Sequence, residues 1–145
     1  AKACIIKTVI IIIFEVLMKN YSRQREAILQ VLRSTDTHPT AQWVYEQVRQ
    51  QLPKISLGTV YRNLAQLRDE GVILGLTVGD GYEHFDGDAS AHLHLHCRRC
   101  GRISDVALER DVLGEKAASC GFSPETCAYV IYGVCSDCLS KNEND

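Results

Sequence analysis

Four of the seven cysteines form two C-x-x-C pairs, Cys97–Cys100 and Cys135–Cys138. Each pair places two thiolates close enough to share one ion. Four thiolates around a d¹⁰ ion give a closed tetrahedral site that stabilises a fold and leaves no position for a substrate. The spacing therefore predicts a structural zinc ion. The alternatives are a redox C-x-x-C or a disulfide pair, but a thioredoxin-like motif needs only one pair, after a strand in a βαβ unit.

Histidines alternate with leucines in the segment from His92 to His96. If this segment is a strand, its three imidazoles point to one face, and Leu93, Leu95 and Cys97 point to the other. We expect the leucines to pack in the core beside the zinc cysteines and the imidazoles to face the preceding half of the chain. Because imidazole is a common ligand of divalent transition metals, a second metal site is predicted on the histidine face.

Further donors for this second site come from other segments. Asp86 and His84 share a face of the preceding strand, Asp105 lies at a turn further along, and His38 could reach across from the N-terminal half. Imidazoles and carboxylates together form a fairly hard ligand set that suits Fe(II) or Mn(II). A ligand from each half would couple metal occupancy to domain orientation. The alternative is that these are surface histidines, which is the better interpretation for His84 and His96.

The composition is that of a globular chain. Its 145 residues, 46% hydrophobic and 23% charged, exclude a large multidomain enzyme and a wholly disordered chain. The net charge of −2 hides an asymmetry, because residues 18–80 hold eight Lys/Arg against six Asp/Glu and residues 81–145 hold six against eleven. The basic excess weakly indicates a polyanion partner for the N-terminal half. An odd cysteine count without a convincing export signal favours a cytoplasmic location.

Residues 1–17 contain an isoleucine-rich stretch that is far shorter than the roughly 20 apolar residues of a membrane span, so no membrane partner is predicted. Glu15 and Met18 follow this stretch in place of a small-residue cleavage site. Because Met18 is the only methionine, we interpret residues 1–17 as a non-native or disordered leader.

Apolar residues recur with a helical period in three stripes between residues 21 and 71, which predicts three amphipathic helices. Short oxygen-bearing side chains at Ser22, Thr40 and Ser56 mark the helix starts, and Gly71 marks the end of the third helix. The stripes consist of Ala27, Ile28, Val31 and Leu32, then Trp43, Val44 and Val48, then Val60, Leu64 and Leu67.

A hairpin and a second small domain follow the helices. The predicted elements are strands at 72–78 and 82–86, a hinge at 87–91, a strand at 92–97, a helix at 106–119, a strand at 125–134 and a polar tail. Three helices and a hairpin have the order of a winged helix-turn-helix domain, which we place at residues 18–86. Residues 92–145 form a small α/β domain whose thin core needs a metal or a partner subunit. The predicted fold class is α+β.

Several motifs occur together between Tyr21 and Cys138. They are Ser22-Arg-Gln-Arg25, His38-Pro-Thr-Ala, Ser56-Leu-Gly-Thr-Val-Tyr-Arg-Asn-Leu, His92-x-His94, both C-x-x-C pairs and Tyr132-Gly-Val-Cys135. With this combination the chain resembles the ferric uptake regulator family of metal-dependent repressors, and most closely its peroxide-stress branch.

The resemblance implies a homodimeric repressor with two metal sites. Structural zinc would bind Cys97, Cys100, Cys135 and Cys138, and a regulatory Fe(II) or Mn(II) ion would bind His38, Asp86, His92, His94 and Asp105. Aspartate stands at both acidic positions, where iron-uptake regulators tend to have glutamate, and this favours the peroxide branch. In that branch peroxide oxidises ligands, here His38 and His92. The alternative is an iron, zinc or manganese uptake regulator without peroxide sensing.

Two residues depart from the family pattern. His96 replaces an apolar residue that usually precedes the first zinc cysteine, so it is either an additional ligand or a surface histidine. Cys127 lies where iron-uptake regulators often supply a histidine to a further site, which makes that site doubtful.

The third helix is predicted to read double-stranded DNA, since several of its polar residues lie away from the apolar stripe. Arg62 is the candidate for guanine, Asn63 or Gln66 for adenine, and Thr59 and Tyr61 for phosphate. Ser56, Arg23, Arg25 and Lys54 complete the predicted contact set. A dimer would fit two such helices into successive major grooves of a palindromic operator. The alternative is a solvated helix face.

No enzymatic activity is predicted. A zinc deaminase would need H-x-E and P-C-x-x-C motifs, and the sequence has neither. A zinc ion with four thiolate ligands also lacks an open coordination position.

Overall fold

The computed structural model describes Lys19, residues 21–125 and residues 127–141. The predicted leader at residues 1–17 lies outside the described residues. Within the described part, no helix is both long and apolar enough to cross a membrane.

Three helices and a two-stranded hairpin form the N-terminal half. Helix α1 covers residues 21–33, α2 covers Ala41–Gln51 and α3 covers Leu57–Asp69. Strands β1 (Leu74–Thr77) and β2 (Glu83–Asp86) pair antiparallel. The order is that of the predicted winged helix-turn-helix domain, and both strands are shorter than the sequence suggested.

Two of the three predicted helix starts are confirmed. The side chains of Thr40 and Ser56 accept backbone N–H bonds at the starts of α2 and α3, where such donors lack partners within the helix. Ser22 is not a helix start, because the chain is already helical at Lys19. Gly71 follows the end of α3 with φ of 70°, a backbone conformation that favours glycine.

The predicted apolar stripes form the main core. Phe85 of β2 joins this core and attaches the hairpin to the helices. Trp43 is the exception, because its side chain remains 36% exposed. The core includes the fully buried side chains of Ile28, Leu32, Val44, Val48, Val60, Leu64 and Leu67.

Three strands and two short helices form the C-terminal half. Strand β3 (His92–Cys97) lies between β4 (Ile103–Ala107), which is antiparallel to it, and β5 (Tyr129–Gly133), which is parallel. Helix α4 (Val112–Ser119) connects β4 to β5, and α5 (Ser136–Ser140) follows β5.

The helix predicted at residues 106–119 begins only at Val112. Residues 103–107 pair with β3 instead, and Asp111 caps α4 by accepting the N–H of Gly114. Strand β5 is also shorter than the predicted segment 125–134, and the predicted polar tail contains α5. Pairing with the preceding strand, β3, therefore set the start of α4 later than the local pattern predicted.

The prediction that the leucines of β3 pack in the core is wrong. His92 and His94 are 5% and 0% exposed, whereas Leu95 is 40% exposed. Burial alternates from His92 to Leu95 with the histidines on the buried side, whereas Cys97, predicted on the leucine face, is buried as well.

The hairpin explains why the histidine face is buried. Leu76 and Val78 pack against Ile103 and Val130 in a second, small core. Ile103 and Val130 stand opposite histidines of β3 in the neighbouring strands, so they lie on the histidine face of the sheet. The two halves of the chain therefore meet at this face.

Candidate metal centres and nucleic-acid interface

The four C-x-x-C cysteines come together at one end of the C-terminal sheet. Cys97 ends β3, Cys100 lies in the following turn, and Cys135 and Cys138 lie at the start of α5 and within it. Their Sγ atoms lie within 4.8 Å of one another, and those of Cys100 and Cys135 are 3.8 Å apart. A tetrahedral site with Zn–S bonds of about 2.3 Å has S–S edges of about 3.8 Å. The cysteine cluster therefore suits a structural zinc ion.

Backbone N–H groups stabilise thiolates in this cluster unevenly. Hydrogen bonds from the N–H groups of Cys135 and Cys100 lower the pKa of Cys97 to about 5. The N–H of Cys138 and the Arg102 guanidinium lower the pKa of Cys135. The neighbouring Cys135 then raises the pKa of Cys138 to about 12. Full deprotonation of all four thiols consequently needs a cation between them.

The five residues of the second predicted set also converge, and they come from both halves of the chain. His38 lies between α1 and α2, Asp86 ends β2, His92 and His94 lie in β3, and Asp105 lies in β4 opposite His94. One ligand atom of each residue lies within 4.8 Å of all the others. We call this group the histidine–aspartate cluster.

Imidazole Nε2 atoms surround two carboxylate oxygens in the histidine–aspartate cluster. Asp105 Oδ1 lies 2.8 Å from Nε2 of His38, and Asp86 Oδ2 lies 2.9 Å from Nε2 of His92 and 3.2 Å from that of His94. Despite these distances, Nε2 of His38 and Nε2 of His92 have no hydrogen-bond partner of acceptable geometry among the described residues. Nε2 of His94, in contrast, is within hydrogen-bond geometry of Asp86 Oδ2.

Backbone carbonyls orient two of the three rings. Nδ1 of His92 lies 2.9 Å from the Ser90 carbonyl oxygen, and Nδ1 of His94 lies 3.3 Å from that of Tyr129. Because a carbonyl oxygen only accepts, Nδ1 of each ring donates to it, and in a neutral imidazole this leaves the Nε2 lone pair for a metal ion. Without a cation, a proton on Nε2 of His94 is the donor to Oδ2 of Asp86 at 3.2 Å. The donor set therefore fits a bound metal ion.

Burial and charge act in opposite directions on the pKa values of this cluster. Burial raises the pKa of Asp86, but contacts with His38 and His94 and the N–H of Asp88 hold that pKa well below its usual range. Burial lowers the pKa of His38, and the carboxylates of Asp86 and Asp105 raise it above its ordinary value overall. A proton on His38 thus offsets part of the carboxylate charge when no cation is bound.

The histidine–aspartate cluster is buried but has an open edge. The Asp105 side chain is 37% exposed, whereas that of Asp86 is 9% exposed and that of His94 is fully buried. Small cavities open beside Asp105, one lined in part by Asp88 and the other in part by Asp36. Imidazole and carboxylate ligands with an exposed edge suit an exchangeable ion such as Fe(II) or Mn(II).

His84, His96 and Cys127 lie outside both clusters in the described part of the chain. The His96 ring packs edge-on against Tyr132, with ring centroids 5.5 Å apart. Cys127 contacts Tyr129 and raises the pKa of its hydroxyl.

Sequence reasoning missed Ser90 and Tyr129, which orient the cluster histidines. Both act through backbone carbonyl oxygens, and the identity of a side chain carries no signal for such a contact.

The exposed polar residues of α3 form a candidate DNA-contacting surface. Tyr61 is 52% exposed, and Arg62 and Gln66 are also exposed. Arg62 donates to the Thr59 hydroxyl at 3.2 Å, and Ser56 caps the helix.

Basic residues outside α3 flank this surface. Arg23 and Lys54 border a cleft between α1 and the loop before α3. Arg25 is paired with Glu70 and also donates to the Tyr21 hydroxyl at 3.3 Å.

Asn63 does not lie away from the apolar stripe, so that expectation is wrong. It is 3% exposed, and its side-chain amide donates to the Thr59 carbonyl oxygen at 2.9 Å. Its spacing of three and four residues from Val60 and Leu67 places it on the buried side of α3. Its amide is therefore not available to read a base in this structure.

A winged helix-turn-helix unit that shares a metal-ligand cluster with a four-cysteine module defines a metal-dependent transcription regulator. Comparison with known proteins agrees. The model of the ferric uptake regulator family matches residues 18–132. The chain is 38% identical over 120 residues to the peroxide-responsive repressor PerR of Staphylococcus aureus, a match that covers 81% of each chain.

Solved structures give the same result. The chain is similar to the peroxide stress regulator of Campylobacter jejuni, with 25% identity, a TM-score of 0.76, and coverage of 88% of this chain and 98% of that one. It is also similar to the ferric uptake regulator of Pseudomonas aeruginosa with manganese, with 28% identity, a TM-score of 0.60, and coverage of 78% and 87%. The chain belongs to the ferric uptake regulator family. The resemblance and the α+β fold class are confirmed, and the relatives are regulators rather than enzymes.

Proposed function

We propose that the chain is a homodimeric cytoplasmic repressor that senses peroxide through Fe(II) or Mn(II) at the histidine–aspartate cluster and holds a structural zinc ion at the cysteine cluster. One observation carries the proposal: His38 and Asp86 come from the N-terminal half, and the other three ligands come from the C-terminal half. The relatives described as a peroxide-responsive repressor and a peroxide stress regulator support the choice of signal.

Ligands from both halves would let the ion control domain orientation. We assign residues 18–86 to a DNA-binding domain, 87–91 to a hinge and 92–145 to a dimerisation domain. An added Cβ at Gly87 would lie 3.1 Å from the backbone of Leu32 and Arg33, so the hinge begins where the chain passes close to α1. If the ion binds this orientation better than an open one by about 1–3 kcal/mol, DNA affinity changes by about 5- to 150-fold.

The uncovered face of the C-terminal sheet supports a homodimer. Leu95 of β3 is 40% exposed, and Ile131, opposite it in β5, is 51% exposed. Val106 of β4 is also 40% exposed and stands opposite Leu93 on the same face. A contiguous apolar face of this kind marks an interface, and a second copy of the chain would bury it around a two-fold axis.

DNA recognition is assigned to α3 and its surroundings. We assign Arg62 to guanine and Gln66 to adenine, and the exposure of both side chains on this helix supports the assignment. Phosphate contacts are assigned to Arg23, Arg25, Lys54, Ser56, Thr59 and Tyr61. Two copies of α3 in a two-fold dimer would read a palindromic operator at half-sites about one helical turn apart.

Bound Fe(II) supplies the reactivity toward peroxide. In the net reaction hydrogen peroxide is the oxidant, one imidazole carbon gains an oxygen atom, and water is released. We assign His38 and His92 as the rings oxidised, because Nε2 of each is buried within the cluster and has no hydrogen bond among the described residues. An oxidised ring is a weaker ligand, so the two halves are no longer held together and DNA is released.

The proposal is tested with protein loaded anaerobically with Fe(II) and treated with peroxide. We expect peptide mass spectrometry to find one added oxygen on His38 or His92, together with loss of DNA binding, while the Mn(II) form keeps its DNA affinity. Loss of DNA binding without oxygen on either histidine would contradict the sensing chemistry. Metal-dependent DNA binding that peroxide does not alter would indicate an uptake regulator instead.

A further inference from the structure

We infer that His84 is a positioning residue for the regulatory ion: it fixes the backbone of His38 and links that ligand to the turn of the β1–β2 hairpin. The inference rests on the proposed role of His38 as a ligand. It also overturns the sequence-based interpretation of His84 as a surface histidine, since its side chain is only 15% exposed.

Both ring nitrogens of His84 are engaged. Nδ1 of His84 lies 2.7 Å from the His38 carbonyl oxygen, and Nε2 lies 2.7 Å from Oδ2 of Asp80. Both partners are acceptor atoms, so the ring lies between two acceptors and donates an N–H to them. Asp80 lies in the turn between β1 and β2, where its carboxylate also accepts the N–H of Tyr82 at 3.1 Å.

His38 depends on this support because of its backbone conformation. Its φ is 51°, in the left-handed region that residues with a Cβ seldom adopt. Such a conformation persists only where the surroundings impose it. The contact between the His84 ring and the His38 carbonyl oxygen is one such constraint. Beside it, the N–H of Phe85 donates to the Pro39 carbonyl oxygen at 2.9 Å.

The His38 ring also lacks the anchor that orients the other two cluster histidines. Nδ1 of His92 and Nδ1 of His94 each contact a backbone carbonyl oxygen, whereas Nδ1 of His38 has no hydrogen-bond partner within the described residues. The direction of His38 Nε2 is therefore set through its backbone, which His84 holds. Contacts that orient a ligand typically change metal affinity by about 10- to 100-fold.

The test is Mn(II) titration of zinc-loaded protein in the absence of DNA. We expect His84→Leu to weaken Mn(II) binding by about 10- to 100-fold while one zinc ion per chain is retained. His84→Arg should restore most of the affinity, because a guanidinium offers donors to both acceptors and carries no acceptor itself. Wild-type Mn(II) affinity in a folded His84→Leu protein, or no recovery in a folded His84→Arg protein, would overturn the inference.

A second pair of variants keeps the test valid if His84→Leu fails to fold. Asp80→Ala removes the outer acceptor, and Asp36→Asn removes a carboxylate that borders the cavity next to Asp86 and Asp105. We expect Asp80→Ala to weaken Mn(II) binding more than Asp36→Asn does. If Asp80→Ala weakens Mn(II) binding no more than Asp36→Asn does, the loss reflects only the removal of a negative charge near the site, and the positioning role is refuted.

His38→Ala separates this inference from the proposed function. If His38→Ala keeps wild-type Mn(II) affinity, the assigned ligand set is wrong and the positioning role falls with it. If His38→Ala weakens binding while His84→Leu and Asp80→Ala do not, the ligand set stands and only the role of His84 is refuted.

Discussion

The two ligand clusters of this chain are assembled from different parts of the fold. The cysteine cluster takes its ligands from the end of β3, the turn that follows it, the N-cap of α5 and α5 itself, all within one module, and Cys100 is exposed. The histidine–aspartate cluster combines a loop and a strand of the N-terminal half with two strands of the C-terminal half, and most of it is buried. A cluster within one module can stabilise only that module, whereas a cluster between two halves can respond to their orientation.

The ligand types follow the same division. Thiolates are soft and fill all four positions around zinc, which makes a closed and long-lived site. Imidazoles and carboxylates bind harder divalent ions, and the exposed edge at Asp105 gives such an ion a route to solvent. The ligand chemistry and the position of each cluster in the fold thus both favour permanent zinc binding at the cysteine cluster and reversible metal binding at the histidine–aspartate cluster.

The largest expected effect comes from breaking the cysteine cluster. Cys135→Ser should abolish zinc binding and unfold the C-terminal sheet, while α1–α3 keep their own core. Zinc analysis and amide hydrogen exchange measure the two consequences. Cys120→Ser, an exposed cysteine outside both clusters, is the matched control and should change neither. Native protection of β3–β5 in zinc-free Cys135→Ser protein would refute the structural role of the ion.

Breaking the histidine–aspartate cluster should abolish the switch and leave the fold intact. Asp105→Ala removes a ligand, the most exposed of the five. We therefore expect Mn(II) affinity to fall by roughly 100-fold or more, which exceeds the effect of removing a contact that only orients a ligand. Zinc content and circular dichroism should remain those of the wild type. Glu109→Gln, an exposed carboxylate in the segment after β4, serves as the control. Loss of zinc in Asp105→Ala protein would show that the clusters are not independent.

The same comparison explains which features the sequence could reveal. The cysteine cluster could be predicted from C-x-x-C spacing. Each pair is visible in the local sequence, and the site requires only that the two pairs meet in the fold. His92 and His94 follow from strand alternation. His38 and Asp105 were candidate donors by residue type, and the family resemblance then assigned both to one ion, since no local pattern relates a loop after α1 to a strand far along the chain.

Other features depend on contacts that no local pattern contains. Which face of β3 is buried depends on Leu76 and Val78 of the hairpin region, and the leucine pattern alone suggested the opposite face. Strand β4 extends into the first two residues of the predicted helix because β3 offers a partner for its backbone. Asn63 was misplaced for another reason: its helical spacing indicated the buried side, but its polar side chain suggested a DNA contact.

The pH dependence of the metal-free histidine–aspartate cluster sharpens the comparison further. Burial lowers the pKa of His38, but the carboxylates of Asp86 and Asp105 raise it above its ordinary value overall. Protonated His38 therefore stabilises the metal-free fold at low pH, and this stabilisation is lost as the pH rises through the raised pKa. Asp86 has a lowered pKa, so its contribution is lost only in acid. We expect the thermal stability of zinc-loaded, manganese-free protein to fall as the pH rises from about 6.5, the ordinary pKa of a histidine, through the raised pKa of His38.

Calorimetry over this pH range, with and without Mn(II), checks the prediction. Mn(II) should reduce or reverse the decline, because protons and the ion compete for His38. His38→Gln should flatten the metal-free profile. A metal-free stability that rises with pH across this window would contradict the assigned charge balance.

The smallest expected effect concerns the surroundings of the cysteine cluster. Arg102 pairs with Asp137 at 2.6 Å, and the two side chains are 50% and 63% exposed. Arg102 also lowers the pKa of Cys135, but water screens an exposed guanidinium, so Arg102→Ala should change the rate of zinc transfer to a chelator by less than about fivefold. Arg99→Ala removes another exposed guanidinium, which donates to the Cys138 carbonyl oxygen, and serves as the control. If Arg102→Ala loses zinc as completely as Cys135→Ser, an exposed contact supports its cluster as strongly as a ligand does, and the contrast with the buried contact of His84 fails.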